Sequence, residues 1–142
     1  MEVSYVVPAP VNEVFPYFAD MKKFGDAHPI IYRVDDIGPN EYLFYEKLKV
    51  LVFKVKFTYK VKVESIDENR QVKIYSNVQR GVHLNLTFSF SEINRQTEIN
   101  EVIAVTAAGW VKSFFHPLLK KSHLKLVNEI SSRLNKHGNG VL

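Results

Sequence analysis

The chain has 142 residues, enough for one domain with a hydrophobic core, and its 46% apolar and 24% charged residues exclude an intrinsically disordered protein. The absence of cysteine excludes disulfides, thiolate metal ligands and a cysteine nucleophile. The net charge of +4 is local, because six lysines and no acidic residue occupy the segment from Lys47 to Lys62.

The chain begins MEVSYVVPAP, without the basic start and long apolar segment of a signal peptide. Its longest run without a charged residue, residues 81–91, is shorter than the ~20 apolar residues of a membrane-spanning helix. We therefore expect a cytoplasmic protein that is not an integral membrane protein.

The N-terminal segment predicts one strand and two short helices. Residues 2–7 alternate between apolar and polar side chains, as in a strand. Pro10 suits the start of a helix whose apolar residues recur at helical spacing: Val11, Val14, Phe15 and Phe18. Residues 21–26 predict a second short helix or turn, ended by Gly25 and the pair His28-Pro29.

From residue 30 to residue 107 the apolar residues recur with a period of two, most clearly in FKVKFTYKVKVE at 53–64. Turns are predicted at residues 38–40, near 51–52, at 67–70, at 80–81 and at 94–95. They divide this region into six strands. Together with the N-terminal strand they predict a seven-stranded antiparallel meander.

Folding the chain at these turns brings the apolar members of the strands to one face of the sheet. The members are Tyr32 and Val34, Phe44 and Leu48, Phe53 to Val63 in alternation, Val72 and Ile74, Leu84 to Phe90, then Ile99, Ile103 and Val105. The lysines fall on the opposite face without aromatic residues between them, so we expect no binding of nucleic acid. A weak attraction to anionic membranes stays open.

One long helix is predicted from about Val111 to Lys136, with Pro117 in its first turn or so and the tail HGNGVL at its end. Its apolar stripe consists of Phe115, Leu118, Leu119, Leu126, Val127, Ile130 and Leu134. A long helix with one apolar stripe must bury it, so we expect this helix on the apolar face of the sheet.

Two segments carry a resemblance to a known family. APVNEVFPYFADMKKFG, residues 9–25, is similar to the A-P-x-x-x-V-(W/F)-x-x-(L/F)-x-D segment of the bacterial polyketide cyclase/dehydrase and lipid-transport group. LLKKSHLKLVNEISSRL, residues 118–134, is similar to the closing helix of that group. The chain thus resembles this group of the START/Bet v 1-like (SRPBCC) superfamily, although Phe24 and His28-Pro29 stand where a tryptophan is common.

The resemblance implies an α+β helix-grip fold, formed by a single domain over residues 1–142. In this fold a seven-stranded curved antiparallel sheet wraps around a long C-terminal helix, with two short helices after strand 1. A hydrophobic cavity is expected between the sheet and the helix. Members of the superfamily bind lipids, sterols or polyketides, and some catalyse cyclisation or dehydration, but they share no universal catalytic residues.

Two glutamates interrupt the inward-facing apolar pattern. The hairpin register puts Glu46 opposite Tyr32 and Glu101 opposite Phe88. An unpaired carboxylate in an apolar cavity has a raised pKa and can act as an acid or a base, so both glutamates are catalytic candidates. Alternatively, a β-bulge turns each of them outward, or each lies at the wet end of the cavity.

Polar residues of the helices are further candidates. Ser122 and His123 interrupt the stripe of the long helix, where His123 either reaches the cavity or lies half exposed, and His28 either caps a helix or contacts a ligand. The residues expected to bind a ligand are Tyr5, His28, Tyr32, Phe44, Leu48, Phe57, Tyr59, Leu86, Phe88, Ile103, Phe115, Leu119 and Ser122. The catalytic candidates are Glu46, Glu101 and His123.

Metal and nucleotide chemistry have no support in the sequence. His116 and His123 lie about 10 Å apart along a helix, too far for one metal ion. No HExxH motif, glycine-rich phosphate loop or G-x-S-x-G elbow occurs. We therefore expect no metal and no cofactor.

The turn KVLVFK, residues 49–54, lacks the Gly, Asn, Asp or Pro that turns normally use. It puts Leu51 and Val52 at a tip flanked by the lysines at 47, 49, 54 and 56. We expect this tip to serve as a lid of the cavity, as a transient contact with a membrane surface, or as a homodimer or core contact.

Three functions remain open on the sequence. The first is a non-enzymatic protein that carries or sequesters a small hydrophobic molecule, such as a lipid or a polyketide. The second is a cyclase or dehydratase that uses a cavity glutamate or histidine as acid or base. The third is a protein-interaction module whose cavity is filled.

Overall fold

The computed structural model describes residues 1–66, 70–78 and 81–140, with only the backbone of residue 50 and of residues 137–140. The predicted turns at 67–70 and 80–81 therefore lie largely outside the described residues. The described residues form the strands β1 (Glu2–Val7), β2 (Ile31–Gly38), β3 (Glu41–Val50), β4 (Phe53–Ile66), β5 (Gln71–Val78), β6 (Val82–Ile93) and β7 (Gln96–Thr106).

These strands make one curved antiparallel sheet in the order β1-β7-β6-β5-β4-β3-β2. Each strand from β2 to β7 lies beside the next one in the chain, and β1 pairs with β7. The predicted seven-stranded meander and the helix-grip fold are therefore confirmed.

The helices are α1 (Val11–Val14), α2 (Pro16–Ala19), α3 (Met21–Ala27) and α4 (Gly109–Gly140). The first of the two predicted short helices is thus divided into two, which meet at Phe15. Helix α3 begins where the Asp20 carboxylate accepts hydrogen bonds from the backbone N–H groups of Lys22 and Lys23.

Helix α4 is longer than predicted at both ends. It begins at Gly109, so Pro117 lies inside the helix and not in its first turn. Because proline has no N–H, the helix lacks the hydrogen bond that this position would donate to the carbonyl of Ser113. The segment HGNG, which was predicted to end the helix, continues it to Gly140.

Several turns use left-handed backbone, among them the hairpins between β6 and β7 and between β3 and β4. Asn94 and Arg95 have φ angles of 54° and 63°, as a two-residue hairpin turn requires. At the turn between β3 and β4, Leu51 has a φ of 56°, a conformation that costs a residue with a side chain about 1–2 kcal/mol. The turn predicted near residues 51–52 is confirmed. It forms although Leu51 is not one of the residue types, such as Gly or Asn, that adopt a left-handed conformation easily.

Strand β2 departs from the predicted register. Ile31, and not Tyr32, pairs with Glu46, because a bulge follows Ile31. Ile31 is buried, whereas Tyr32 is 52% exposed. The predicted pairing of Tyr32 with Glu46 and its predicted place in the cavity are therefore wrong, whereas the predicted pairing of Phe88 with Glu101 is confirmed.

Strands β3 and β4 extend beyond their neighbours as a two-stranded arm, residues 48–56. The described pairing of β2 with β3 ends at Glu46, and that of β4 with β5 begins at Lys60. Phe53 and Val55 on the arm are consequently exposed. The apolar face predicted for β4 is buried only from Tyr59 onward.

The core lies between the inner face of the sheet, the short helices and the second half of α4. The ring of Phe18 lies 4.9 Å from that of Phe88 and 5.2 Å from that of Phe90. Gly25 lets α3 approach β2, because a Cβ atom there would lie 2.5 Å from Cγ2 of Val34. The buried apolar residues of α4 are Leu126, Val127 and Ile130.

Replacing Leu126 by Ala should lower the free energy of unfolding by about 2–5 kcal/mol, because the side chain is fully buried and the space left behind closes only in part. Leu124→Ala, on the exposed side of the same helix, should change it by less than about 0.5 kcal/mol. Urea unfolding measures both values. Equal losses in the two variants would contradict this packing of α4 against the sheet.

Candidate functional site: a cavity between the sheet and α4

A cavity lies between the inner face of the sheet, the end of α3 and the first half of α4. The residues predicted from the sequence that line it are His28, Phe44, Glu46, Phe57, Tyr59, Leu86, Phe115, Leu119, Ser122 and His123. The lining residues that were not predicted are Phe24, Ile30, Ile31, Ile74, Ser76, Val78, Leu84 and Leu118. An apolar wall with a few polar side chains is the usual composition of a small-molecule site.

Part of the missed wall carried a signal in the sequence. Ile74 and Leu84 were already on the predicted inward face, and Ser76 follows Ile74 by the strand period of two. Leu118 belonged to the predicted stripe of the long helix. Ile31 carried no such signal, because the bulge in β2 changes which residue faces inward.

The other predicted site residues lie elsewhere. Tyr5, Phe88, Glu101 and Ile103 are buried in the core, outside the cavity wall. Leu48 is half-buried at the base of the arm and does not line the cavity either.

Glu101 and His123 form a buried pair between β7 and α4. The Nδ1 atom of His123 lies 2.5 Å from Oε2 of Glu101, and the two side chains are 3% and 0% exposed. The Tyr5 hydroxyl donates a hydrogen bond to Oε1 of Glu101 over 3.2 Å, and burial, followed by the charge of Glu101, raises the pKa of Tyr5. Glu101 is therefore a paired carboxylate behind His123, which corrects both the unpaired and the outward-facing alternatives.

Glu46 faces the cavity itself. It is buried and accepts a hydrogen bond from the Tyr59 hydroxyl. Burial raises the pKa of Glu46 to about 7, against the opposing effects of the Tyr59 hydrogen bond and of His123. Burial and the Glu46 carboxylate together raise the pKa of Tyr59 well above its ordinary value. The alternative in which a bulge turns Glu46 outward is wrong.

His28 and Ser122 complete the polar part of the wall. The Nδ1 atom of His28 accepts a hydrogen bond of 3.3 Å from the backbone N–H of Ile30, and its ring centroid lies 5.8 Å from that of His123. Burial and the neighbouring His123 hold the pKa of His28 well below its ordinary value, so the ring is neutral at pH 7. The Ser122 hydroxyl donates to the carbonyl of Leu118 over 2.6 Å.

The cavity is narrow in this conformation. Its volume is about 40 Å³. A cavity of about 150 Å³ holds one benzene molecule. A ring or chain can therefore enter only if side chains at the mouth move. The half-buried lining residues are Ile30, Phe57, Val78, Phe115, Leu118 and Leu119.

Exposed apolar residues lie on the arm of β3 and β4 and at the start of α4, and β4 and α4 contribute Phe57 and Phe115 to the cavity wall. Phe57 continues into the arm, whose tip residues Leu51 and Val52 are 85% and 83% exposed. Phe115 continues toward the start of α4, where Trp110 is 79% exposed. The side of the arm opposite its apolar residues carries the exposed lysines Lys47, Lys49, Lys54 and Lys56.

Within residues 1–66, 70–78 and 81–140, no three His, Asp or Glu side chains lie close enough together to hold a metal ion. In the same part of the chain no helix combines the length and the apolar character needed to cross a membrane.

Comparisons with known proteins agree with this architecture. The sequence model of the CoxG family, which is named for a component of carbon monoxide dehydrogenase, matches residues 4–137. No curated protein matches the sequence.

Several solved structures share the fold at low sequence identity. A conserved protein from Geobacillus kaustophilus has a TM-score of 0.80 at 15% identity, with 95% of this chain and 94% of that chain covered. The Zhui aromatase/cyclase from Streptomyces sp. R1128 has a TM-score of 0.72 at 14% identity, with 96% and 93% covered. Ara h 8.0201 has a TM-score of 0.70 at 12% identity, with 96% and 97% covered.

Glu46 should make the folded protein less stable as the pH rises. Its pKa is about 4.5 in an unfolded chain and about 7 in the folded one, so its stabilising contribution is complete below pH 4.5 and lost as the pH passes 7. The loss amounts to about 3 kcal/mol. Glu46→Gln should remove this pH-dependent component of the free energy of unfolding.

Urea unfolding at several pH values between 4 and 8 measures the effect. Glu41→Gln, at an exposed position of the same strand, is the matched control and should keep the pH slope of the unchanged protein. Identical slopes for the unchanged protein and Glu46→Gln would show that the Glu46 carboxyl is not held in an apolar wall.

Proposed function

The chain belongs to the CoxG family, within the START/Bet v 1-like superfamily, and we propose that it binds a small hydrophobic molecule in the cavity between the sheet and α4, for carriage or sequestration. The observation that carries the proposal is the composition of the cavity wall. The wall is apolar apart from six side chains that carry polar atoms: His28, Glu46, Tyr59, Ser76, Ser122 and His123.

These polar side chains favour a ligand over a merely filled core. Burying the Glu46 carboxyl costs free energy, as its raised pKa indicates, and an apolar side chain of similar volume would avoid that cost. A cavity that served only to complete the fold, as in an interaction module, has no use for such groups. A ligand with polar atoms at one end gives them partners.

We propose further that the cavity loads from an anionic membrane surface through the arm and the start of α4. Leu51, Val52 and Trp110 are exposed apolar side chains on the β3–β4 hairpin and on α4, which also contribute the lining residues Phe57 and Phe115, and exposed apolar patches mark interaction sites. The four lysines of the arm add positive charge, and each contributes about 1 kcal/mol beside anionic head groups. This charge favours a lipid surface over a second copy of the chain, which carries the same lysines.

A cyclase or dehydratase activity is the second candidate, because His123 has the carboxylate partner that a general base uses. Glu101 holds Nδ1 of the ring, and Glu46, with a pKa of about 7, is present on the same wall as an acid. Recovery of a bound molecule with unchanged mass in native mass spectrometry favours carriage, whereas loss of the mass of one water from it favours the dehydratase.

The neutral fluorescent probe N-phenyl-1-naphthylamine should bind in the cavity, with an increase in its emission. Leu119→Trp should weaken this binding about tenfold or more, because the larger side chain fills space that the probe needs. Leu124→Trp, on the exposed side of α4, is the matched control and should leave the affinity unchanged. Equal affinities for the two variants would put the probe outside the cavity.

The protein should sediment with vesicles of phosphatidylcholine and phosphatidylserine at low salt, and less at high salt because the lysine attraction is screened. Leu51→Ser/Val52→Ser should weaken this binding about tenfold or more, since two apolar side chains no longer enter the lipid.

The matched control for vesicle binding is Val6→Ser/Ile93→Ser, which changes two exposed apolar residues away from the mouth. It should sediment with the vesicles as the unchanged protein does. Equal binding by both double variants argues against a membrane tip. A dimer in the unchanged protein that becomes a monomer in Leu51→Ser/Val52→Ser would identify the tip as a homodimer contact.

A further inference from the structure

We propose that His28 and His123 form a hydroxyl-binding subsite in the cavity, and that the ligand is therefore an apolar alcohol or phenol. The inference rests on the proposed binding function and specifies the chemical class of the ligand. It follows from the hydrogen bonds that the two imidazole rings make on their protein sides.

His123 presents a hydrogen-bond acceptor to the cavity. The Glu101 carboxylate accepts from Tyr5 at Oε1 and faces Nδ1 of His123 at Oε2. A carboxylate accepts and does not donate, so Nδ1 of His123 carries the proton shared with Oε2 of Glu101, and in the neutral form of the imidazole this is the single ring proton. The lone pair of Nε2 then remains for a ligand.

His28 presents a hydrogen-bond donor. Its Nδ1 atom accepts from the backbone N–H of Ile30, so Nδ1 carries no proton. The neutral ring must therefore carry its proton on Nε2. The two histidines consequently have opposite tautomers, each determined by a partner outside the cavity.

Both histidines line the cavity, and their Nε2 atoms are left over for a ligand. The hydrogen bonds that the structure describes for these rings use Nδ1. Neither Nε2 therefore has a hydrogen-bond partner in the part of the chain that the structure describes, and both residues line the cavity wall.

A hydroxyl group matches this pair because it donates and accepts at once. Its O–H donates to Nε2 of His123 while its oxygen accepts from Nε2–H of His28. The ring centroids are 5.8 Å apart with an interplanar angle of 80°, so the two nitrogens belong to neighbouring side chains of the same wall. A ketone or an ether can accept but not donate, and would leave His123 without a partner.

The surrounding charges disfavour a carboxylic acid. Glu46, hydrogen-bonded to Tyr59, lies on the same wall, and Glu101 lies directly behind His123. A ligand carboxylate would therefore enter a site that holds Glu101 and, above pH 7, an ionised Glu46, and like charges in a buried site repel strongly. A neutral hydroxyl avoids this repulsion.

The test compares 2-naphthol with 2-methylnaphthalene, which differ only by a hydroxyl in place of a methyl group. Binding of each probe to the full chain is followed by the probe's own fluorescence. His123→Phe and His28→Phe should each weaken 2-naphthol about tenfold and leave 2-methylnaphthalene within about twofold, because only the hydroxyl loses a hydrogen bond. The matched control is His83→Phe, at an exposed position on β6, which should change neither affinity.

Because His123→Phe leaves Glu101 without its partner, a measurement on the unchanged protein is included. Nitrogen-15 NMR of the histidine rings should show the Nδ1–H tautomer for His123 and the Nε2–H tautomer for His28. On addition of 2-naphthol, but not of 2-methylnaphthalene, the Nε2 signals of both rings should shift.

The outcomes separate the subsite from the binding function. If both probes bind, the histidine variants weaken them equally and both shift the Nε2 signals alike, the hydroxyl subsite is overturned while binding in the cavity stands. If the two rings have the same tautomer, the subsite is overturned as well. If neither probe binds, the subsite fails together with the proposed binding of ring molecules.

Discussion

The pair formed by His123 and Glu101 determines how α4 packs against the sheet. It joins the middle of the helix to β7, with both side chains almost fully buried. A buried pair of this kind contributes little net stability, but separating it costs about 3–5 kcal/mol, because one polar group would remain without a partner. Rotation of α4, or a shift by one turn, would separate it. The helix therefore has one allowed position, with Leu126 toward the core and Leu119 toward the cavity.

This position divides α4 into two halves with different roles. The second half packs tightly, since Leu126 and Ile130 are fully buried. The first half covers the cavity with side chains that are only half-buried, and Pro117 removes one of its backbone hydrogen bonds. Regions with few buried contacts open more easily than the rest of a protein. The fold thus places its firmest packing at one end of the helix and the mouth of the cavity at the other.

The sequence predicts the fold well because the fold depends on local periodicity. A period of two specifies which residues share a sheet face, and a period of 3.6 specifies the helix stripe, so the meander and the long helix follow directly. The bulge at Tyr32 and the exposure of Phe53 do not follow, because they depend on where a neighbouring strand ends. The pairing of Glu101 with His123 joins β7 to α4, and no hairpin turn specifies which residues of these two elements meet. The residues were recognisable as unusual, but their partnership was not.

The left-handed conformation of Leu51 has a consequence for engineering this chain. Glycine or asparagine at that position would relieve about 1 kcal/mol of backbone strain, and a polar residue would remove an exposed apolar side chain. A design procedure that rewards stability and solubility would therefore change this residue early. Such a variant would be more stable, yet it would lack the exposed apolar side chain that distinguishes the tip from an ordinary hairpin turn. Under the proposed membrane contact, selection for stability and selection for activity act in opposite directions at this single residue.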